Sequence, residues 1–228
     1  MKQLIVNELR QARSVLLVVT LVTLATALAA GAIEEQDLAA GFRFIVPLVP
    51  AYFGLTLPAM SFRNETRGGT WRFLRALPAS GSVVVSAKVV SALLVLGAGS
   101  IVAVAGLMIA DGHGSLIEAG RTLSLPLVFG VGLLGLNFAL CFRFGERHAS
   151  LALLVILATL QISGMLGFAV APAGGGITVL FRAVERWIEW ALTPIGLLTC
   201  LSVALGVLAA GWIVSIRLYD GQDITHVM

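Results

Sequence analysis

The sequence predicts an all-α membrane protein with six transmembrane helices. Of its 228 residues, 58% are hydrophobic and only 12% are charged, and the mean hydropathy is +0.99. Soluble domains carry about 25% charged residues, so much of this apolar surface has to face lipid. The apolar residues also form continuous runs of the ~20 residues that a helix needs to cross ~30 Å of hydrocarbon. Residues 1–228 are therefore predicted to form a single transmembrane domain.

The basic residues separate the apolar runs rather than forming one patch. A pI near 9.3 is also found in nucleic-acid-binding proteins, but Lys and Arg scattered between apolar runs are a topology signal of membrane proteins. Nucleic acid is therefore not a predicted partner, whereas membrane lipid is. The two cysteines, Cys141 and Cys200, lie inside apolar runs and are interpreted as small buried hydrophobic residues. They predict neither a disulfide framework nor a metal site.

The first elements are an interfacial helix and a span. In residues 1–13, apolar side chains share one face of a helix and charged side chains lie elsewhere, which predicts a helix in the membrane surface; a disordered basic tail is the alternative. The apolar positions are Leu4, Ile5 and Leu9, and the charged ones include Lys2, Glu8 and Arg10. The first span follows at about residues 14–33. An uncleaved helix is favoured over a secretory signal because the apolar run is too long for one.

Five further spans follow, separated by polar loops. Their predicted bounds are 44–62, 83–110, 123–144, 149–171 and 191–216. A polar loop is predicted for residues 111–122, a tight turn for 145–148 and a polar tail after the sixth span. Between the fifth and sixth spans, residues 177–190 place apolar and charged side chains at helical spacing and include two tryptophans. This pattern predicts an outer amphipathic helix in the headgroup region.

Polar and helix-breaking residues inside the spans are candidates for a substrate path. They are Pro47, Pro50, Pro58, Asn137 and Gln161. The three prolines prevent a straight second span, and prolines in spans occur beside cavities or where neighbours satisfy the freed carbonyls. A kinked packing helix explains them equally well. For Asn137, which follows the glycine-containing run at 130–135, a packing role between close helices is favoured.

Lys88 is an ionisable residue within a predicted span. At the bilayer centre a lysine costs about 2.5–3.5 kcal/mol on insertion scales, whereas near a helix end its long side chain can extend to the interface. Because Lys88 lies only one to two turns inside the third span, snorkelling is favoured over a buried ion or substrate site.

The longest polar interruption, residues 63–82, separates the second and third spans and is strongly basic. Within it Trp71, Leu74 and Leu77 recur at i, i+3 and i+6 and so share one side of a short helix, which turns Arg72 and Arg75 away. The segment predicts a basic amphipathic helix at the membrane interface, on which another protein acts.

Charge counting predicts the orientation. The N-terminus, residues 63–88, the turn near 145 and the C-terminal tail are placed together on one side. That side then holds eleven of the fifteen basic residues but only five of the twelve acidic ones. By the positive-inside rule this side is cytoplasmic, so both termini are predicted to lie inside the cell.

The interruption also carries a family motif. Its residues are Phe62, Glu65, Gly69, Leu74, Leu77, Pro78 and Ser80, followed by Ala87 and Lys88. With it the chain resembles the permease subunits of type-2 ABC exporters, in which the segment from the glutamate to the Leu-Pro pair is the cytoplasmic coupling element. The resemblance extends over the six-span plan and to an ending formed by Ser215, Arg217, Tyr219, Asp223 and Ile224.

The resemblance implies the permease of an ATP-driven exporter in the inner (plasma) membrane. Two permease copies, identical or related, would work with two separate ATP-binding subunits. The sequence contains no G-x-x-x-x-G-K-[ST] loop to cradle phosphates, so ATP and Mg²⁺ are expected on the partner and no cofactor, metal or catalytic residue on this chain. The implied coupling residues are Glu65, Gly69, Trp71, Arg72, Leu74, Arg75, Leu77 and Pro78.

Three other functions compete with this interpretation. A haem-exporter-like permease of cytochrome c maturation has a similar length and a similar Glu-to-Leu-Pro segment. An ion-coupled transporter or channel usually places ionisable residues at mid-membrane, whereas Lys88 lies near the end of its span. An intramembrane enzyme needs an acid–base pair inside the spans, but the three histidines, His113, His148 and His226, all fall in loops or the tail.

Overall fold

The computed structural model describes residues 2–32, 46, 56–63, 80–110, 115–170 and 186–221, and all regular secondary structure in these residues is helical. Four long helices occur there: α1 (Lys2–Ala32), α2 (Gly81–Ala110), α3 (Leu116–Val170) and α4 (Pro194–Gly221). Residues 56–63 and 186–191 are also helical. The all-α prediction is confirmed for this part of the chain.

Three of the described helices are long and apolar enough to cross a bilayer, through Gly81–Ile109, Leu116–Leu153 and Pro194–Gly221. A fourth crossing exists if Lys2–Ser14 and Leu16–Ala29, which meet at a 45° bend, act together as one span. The chain is thus a multi-pass membrane protein. The count of six spans stays a prediction, because most of the second predicted span lies outside the described residues.

α3 joins two predicted spans across a single break. Gly145 has φ 78° and ψ 166°, a combination that is essentially restricted to glycine, and helical geometry resumes with the next residue. The predicted four-residue turn is therefore reduced to its first residue. α3 also begins inside the predicted loop 111–122, because Ser115 Oγ accepts a hydrogen bond of 3.2 Å from the Glu118 N–H and caps the helix.

α4 covers Pro194–Gly221 rather than the predicted 191–216. Thr193 Oγ1 accepts a hydrogen bond of 3.1 Å from the Gly196 N–H, and Pro194 occupies the first helical position, where its missing N–H costs nothing. The start of the predicted polar tail is helical and completes α4. Tyr219 in this last part is buried.

The described end of the predicted outer helix, residues 186–190, is helical. The Trp187 ring meets the Phe129 ring of α3 edge-on, with centroids 6.2 Å apart, while Ile188 and Trp190 are exposed. Exposed apolar and aromatic side chains are those expected of a helix at the membrane surface. Residues 177–185 lie outside the described part of the chain.

Glycines bring α3 and α4 into backbone contact. α3 packs along α4, α1 packs along α2, and α2 contacts both α3 and α4. A Cβ added at Gly135 would lie 2.8 Å from the carbonyl oxygen of Val207, and one added at Gly211 would collide with the backbone of Gly135. The prediction that the glycine run at 130–135 permits close helix contact is confirmed at Gly135.

Candidate functional site

The beginning of α2 is wedged against the end of α4. A Cβ added at Gly81 would collide with the Asp220 carboxylate and lie 2.6 Å from the Tyr219 ring, so only glycine fits here without a shift. The first turn of α2 forms as the Val83 N–H bonds to the Ser80 carbonyl at 3.0 Å. The C-terminal end of the segment that joins residue 63 to α2 is therefore fixed on α4.

The N-terminal end of the same segment is fixed on α3. The Phe62 ring packs edge-on against Phe142 at a centroid distance of 4.6 Å, and Phe142 meets Tyr219 at 6.2 Å. Arg63 Nε lies 3.4 Å from Glu146 Oε1, directly after the break in α3. Because an exposed ion pair of this kind contributes at most about 1 kcal/mol, the buried aromatic contacts are the main anchor.

Lys88 lies close behind this anchor, on the buried face of α2, and its side chain is only 1% exposed. Its ammonium Nζ lies 2.9 Å from Glu8 Oε1 of α1 and donates a hydrogen bond of 2.6 Å to Ser61 Oγ. The Phe62 ring centroid is 5.4 Å from Nζ, within the distance of a cation–π contact. The charge is therefore contacted by an acid, a hydroxyl and an aromatic face.

Ser61 links Lys88 and Glu8 into a hydrogen-bond network of three side chains. Its hydroxyl accepts from Lys88 and donates to Glu8 Oε2 at 2.8 Å, so donors and acceptors alternate around the three side chains. Opposite charges at hydrogen-bond distance form the charge-assisted pair that a buried ion requires. The network joins α1, the helical residues 56–63 and α2.

The prediction that Lys88 snorkels to the interface is wrong, because Glu8 supplies a partner inside the bundle. Glu8 was expected to point away from the apolar face of the N-terminal helix. In the structure Leu4, Leu9 and Ala12 pack against a cluster of buried apolar side chains from α2, α3 and α4. Glu8 faces the helix bundle together with them. The sequence does contain a pattern that places Glu8 on this buried face. Leu4, Glu8 and Ala12 follow each other at i, i+4 and i+8, so they share one helix face.

A small cavity with a mixed polar and apolar lining adjoins the ion pair. It has a volume of about 30 Å³ and is lined by Glu8, Gln11, Ser61, Lys88 and Ser91 among others. Gln11 Oε1 is buried and has no hydrogen-bond partner among the described residues. The cavity has room for about two water molecules and is far smaller than the several hundred Å³ of a ligand pocket. It can hydrate the ion pair but cannot hold a cargo molecule.

The structure describes only part of the predicted substrate path. Pro58 and Asn137 are fully buried, and Asn137 Oδ1 accepts a hydrogen bond of 3.3 Å from Cys141 Sγ. Gln161 lies in the helical part of α3, where its side chain is not described, and Pro47 and Pro50 lie outside the described residues. The described members thus line no open passage in this conformation.

The predicted coupling residues all lie in the range 64–79, outside the described residues. They are Glu65, Gly69, Trp71, Arg72, Leu74, Arg75, Leu77 and Pro78. The structure describes the two flanks of this segment and the ion pair of Lys88 with Glu8; the motif includes Phe62, Ser80 and Lys88 but not Glu8, Ser61 or Gly81.

Comparison with known proteins places these features in one family. The sequence profile described as ABC-2 family transporter protein matches residues 3–220. The match runs from the start of α1 to the last turn of α4 and includes both flanks and the ion pair. No curated protein and no solved structure shows comparable similarity.

Proposed function

The chain belongs to the ABC-2 family of transporters, and from this we propose that it is the permease subunit of an ATP-driven exporter. Membership of this family, together with the apolar spans, makes it a membrane transport subunit rather than the ATPase. In the proposed complex, two permease copies, identical or related, act with two ATP-binding subunits that hold ATP and Mg²⁺. The complex lies in the inner (plasma) membrane, with both permease termini in the cytoplasm.

The observation that supports coupling is the anchoring of residues 64–79 at both ends. Phe62 and Arg63 contact α3, and Gly81 contacts the end of α4. Close-packed helices transmit displacement rather than absorb it. A push on the segment between the anchors would therefore move residues 56–63 and α2 against α3 and α4.

Within the segment, Trp71, Leu74 and Leu77 are proposed to bind in a groove of the ATP-binding subunit, as amphipathic helices do in other complexes. Closure of two ATP-binding subunits around ATP would then deliver the push. The remaining coupling residues are proposed to set charge pairing and helix bounds: Glu65, Gly69, Arg72, Arg75 and Pro78.

A matched pair of charge insertions tests this proposal. Leu74→Asp places a carboxylate in the proposed groove, and Ala76→Asp places the same charge on the opposite side of the predicted helix. Loss of one buried side chain at the centre of a protein–protein interface weakens binding by about 2 kcal/mol, or roughly 30-fold in affinity. Co-purification of the ATP-binding subunit, or transport per ATP hydrolysed, should therefore fall strongly for Leu74→Asp and for Trp71→Ala. It should remain near the wild-type level for Ala76→Asp.

The opposite results would refute the coupling role. Unchanged assembly and transport in Leu74→Asp would show that the apolar side of the predicted helix does not contact the ATP-binding subunit. Equal losses in Leu74→Asp and Ala76→Asp would show sensitivity of the whole segment to charge rather than a specific groove contact.

A further inference from the structure

Two arginines, neither of which takes part in the proposed coupling, line a concave surface between α3 and α4. The concavity has a volume of about 180 Å³ and is lined by Phe142, Arg143, Arg217, Leu218 and Gly221. Arg143 lies just before the Gly145 break in α3, and Arg217 lies near the end of α4. Each helix thus contributes one arginine and one apolar residue to the lining of the concavity.

Neither arginine pairs with an acid in the part of the chain that the structure describes. Among the described residues, acidic partners are found for Arg63 and Lys88 but not for Arg143 or Arg217. The nearest acid in sequence to Arg217 is Asp220, whose carboxylate is directed at Gly81. The concavity therefore presents two positive charges to whatever occupies it.

The arginines lie at the ends of exposed apolar surfaces on their helices, where lipid headgroups are expected. Ile213 and Val214, one turn before Arg217, are 51% and 43% exposed, and Phe144, next to Arg143, is 57% exposed. Exposed apolar side chains on a spanning helix face lipid tails, and basic residues that end such a surface lie at the membrane–water interface. A ligand of this concavity would therefore be within reach of the bilayer.

We propose that the concavity binds the phosphate of an anionic membrane lipid such as phosphatidylglycerol. Arg143 and Arg217 supply forked N–H donors that match phosphate oxygens, while the half-buried Leu218 contacts the glycerol and the first acyl carbons. A volume with room for about twelve water molecules accommodates a phosphate group. Basic pockets between spanning helices on the cytoplasmic side bind anionic headgroups by the same chemistry.

The site discriminates between lipids by charge. Phosphatidylcholine also carries a phosphate, but its trimethylammonium group cancels the negative charge and meets two positive side chains. A bound anionic lipid bridges α3 and α4, so it adds a lipid-dependent contact to the helix pair that already meets at Gly135 and Gly211. This inference rests on the arginines and not on the coupling role proposed above.

Thermal unfolding of the full-length protein in detergent, followed by tryptophan fluorescence, tests the site. Dioleoyl-phosphatidylglycerol and dioleoyl-phosphatidylcholine are added at equal mole fractions. At saturation the anionic lipid is expected to raise the Tm by about 5 °C or more, and the zwitterionic lipid to have little effect. Arg143→Gln/Arg217→Gln should lose most of this shift. The control Arg10→Gln/Arg13→Gln removes the same charge from exposed positions of α1 and should keep it.

A conservative variant keeps the test decisive if the glutamine variant does not fold. Arg143→Lys/Arg217→Lys retains both charges but loses the forked donors, so it should show a reduced shift with phosphatidylglycerol. A full wild-type shift in the glutamine variant, or in the lysine variant if only that one folds, would overturn the site, as would an equal shift with the two lipids.

Two further arms identify the source of the ligand. Inorganic phosphate at millimolar concentration should not reproduce the phosphatidylglycerol shift; if it does so fully, the site takes a free anion and the lipid assignment is wrong. Loss of the ATP-binding subunit from Arg143→Gln/Arg217→Gln, with an unchanged lipid response, would assign the arginines to the partner protein instead.

Discussion

Lys88 places a positive charge on the buried face of an apolar helix, and its stability there depends on two side chains from other elements. Moving an ammonium out of water costs several kcal/mol even after the surroundings relax. Charge-assisted hydrogen bonds from Lys88 Nζ to Glu8 at 2.9 Å and to Ser61 at 2.6 Å offset this cost. Because the three residues come from α1, residues 56–63 and α2, the network fixes the relative position of three elements next to Phe62, which precedes the proposed coupling segment.

Removal of one charge of the Lys88–Glu8 pair should therefore destabilise the protein far more than removal of both charges. Glu8→Gln leaves a buried ammonium without its counter-ion and is expected to destabilise the protein by about 3–5 kcal/mol, or roughly 10 °C in Tm. Glu8→Gln/Lys88→Met removes both charges and should recover most of the loss. Thermal unfolding in detergent measures both. The control is Glu146→Gln, which breaks the exposed pair with Arg63 and should lower the stability by at most about 1 kcal/mol. Equal effects of Glu8→Gln and Glu146→Gln would contradict the interpretation of Lys88 and Glu8 as a buried ion pair.

Sequence patterns identify Lys88 as a charge that needs an explanation, but they do not identify its partner. Glu8 is 80 residues away, and in the N-terminal helix its charge alone groups it with the polar face. Helix periodicity reports which residues share a face; it does not report which face another helix covers. The partner becomes visible only once α1 is packed against α2.

At the scale of the helices, close approach of α3 and α4 depends on residues without side chains. Gly135 and Gly211 oppose each other so closely that a Cβ on either would collide with backbone atoms of the other helix. Between spanning helices there is no hydrophobic driving force beyond that of lipid, so such close packing is a main source of association. Gly206, on the same helix as Gly211, has nothing within 4 Å of its Cβ position.

Gly211→Ala and Gly206→Ala make the same chemical change on one helix and should have opposite effects. Gly211→Ala is expected to cost about 1–3 kcal/mol because the added methyl group forces the helices apart. Gly206→Ala gains helix propensity of up to about 1 kcal/mol without a clash. The Tm of each variant, measured side by side, checks this. If Gly211→Ala is as stable as Gly206→Ala, the backbone contact at Gly135 does not hold the two helices together.

Element bounds were predictable where the apolar run is continuous and less so where polar residues continue a helix. The third span, predicted at 83–110, corresponds to α2 at Gly81–Ala110. The start of α3 was missed because residues 115–122 are polar enough to resemble a loop, although Ser115 and Glu118 have the spacing of a helix cap. Gly211 was missed as the partner of the 130–135 run, since sequence alone does not distinguish it from Gly206.

At the scale of the whole molecule, segments far apart in sequence meet at one end of the helix bundle. Glu8 of α1 contacts Lys88, Arg63 contacts Glu146 after the α3 break, and the start of α2 meets Asp220 at the end of α4. These are the segments that charge counting assigns to one side of the membrane. Contacts support their common end, and the positive-inside rule predicts that this end lies in the cytoplasm.

Reporter fusions test that assignment directly. A fluorescent protein that matures only in the cytoplasm should be bright when fused after Met228, because α4 ends at the charged end of the bundle. A phosphatase that is active only outside the cell should be active when inserted within residues 111–114, because α2 carries the chain across the membrane from that end. Exchanging the two reporters serves as the control, and both signals should then be lost. An active phosphatase after Met228 would place residues 64–79 outside the cell, out of reach of any ATP-binding subunit, and would invalidate the proposed coupling.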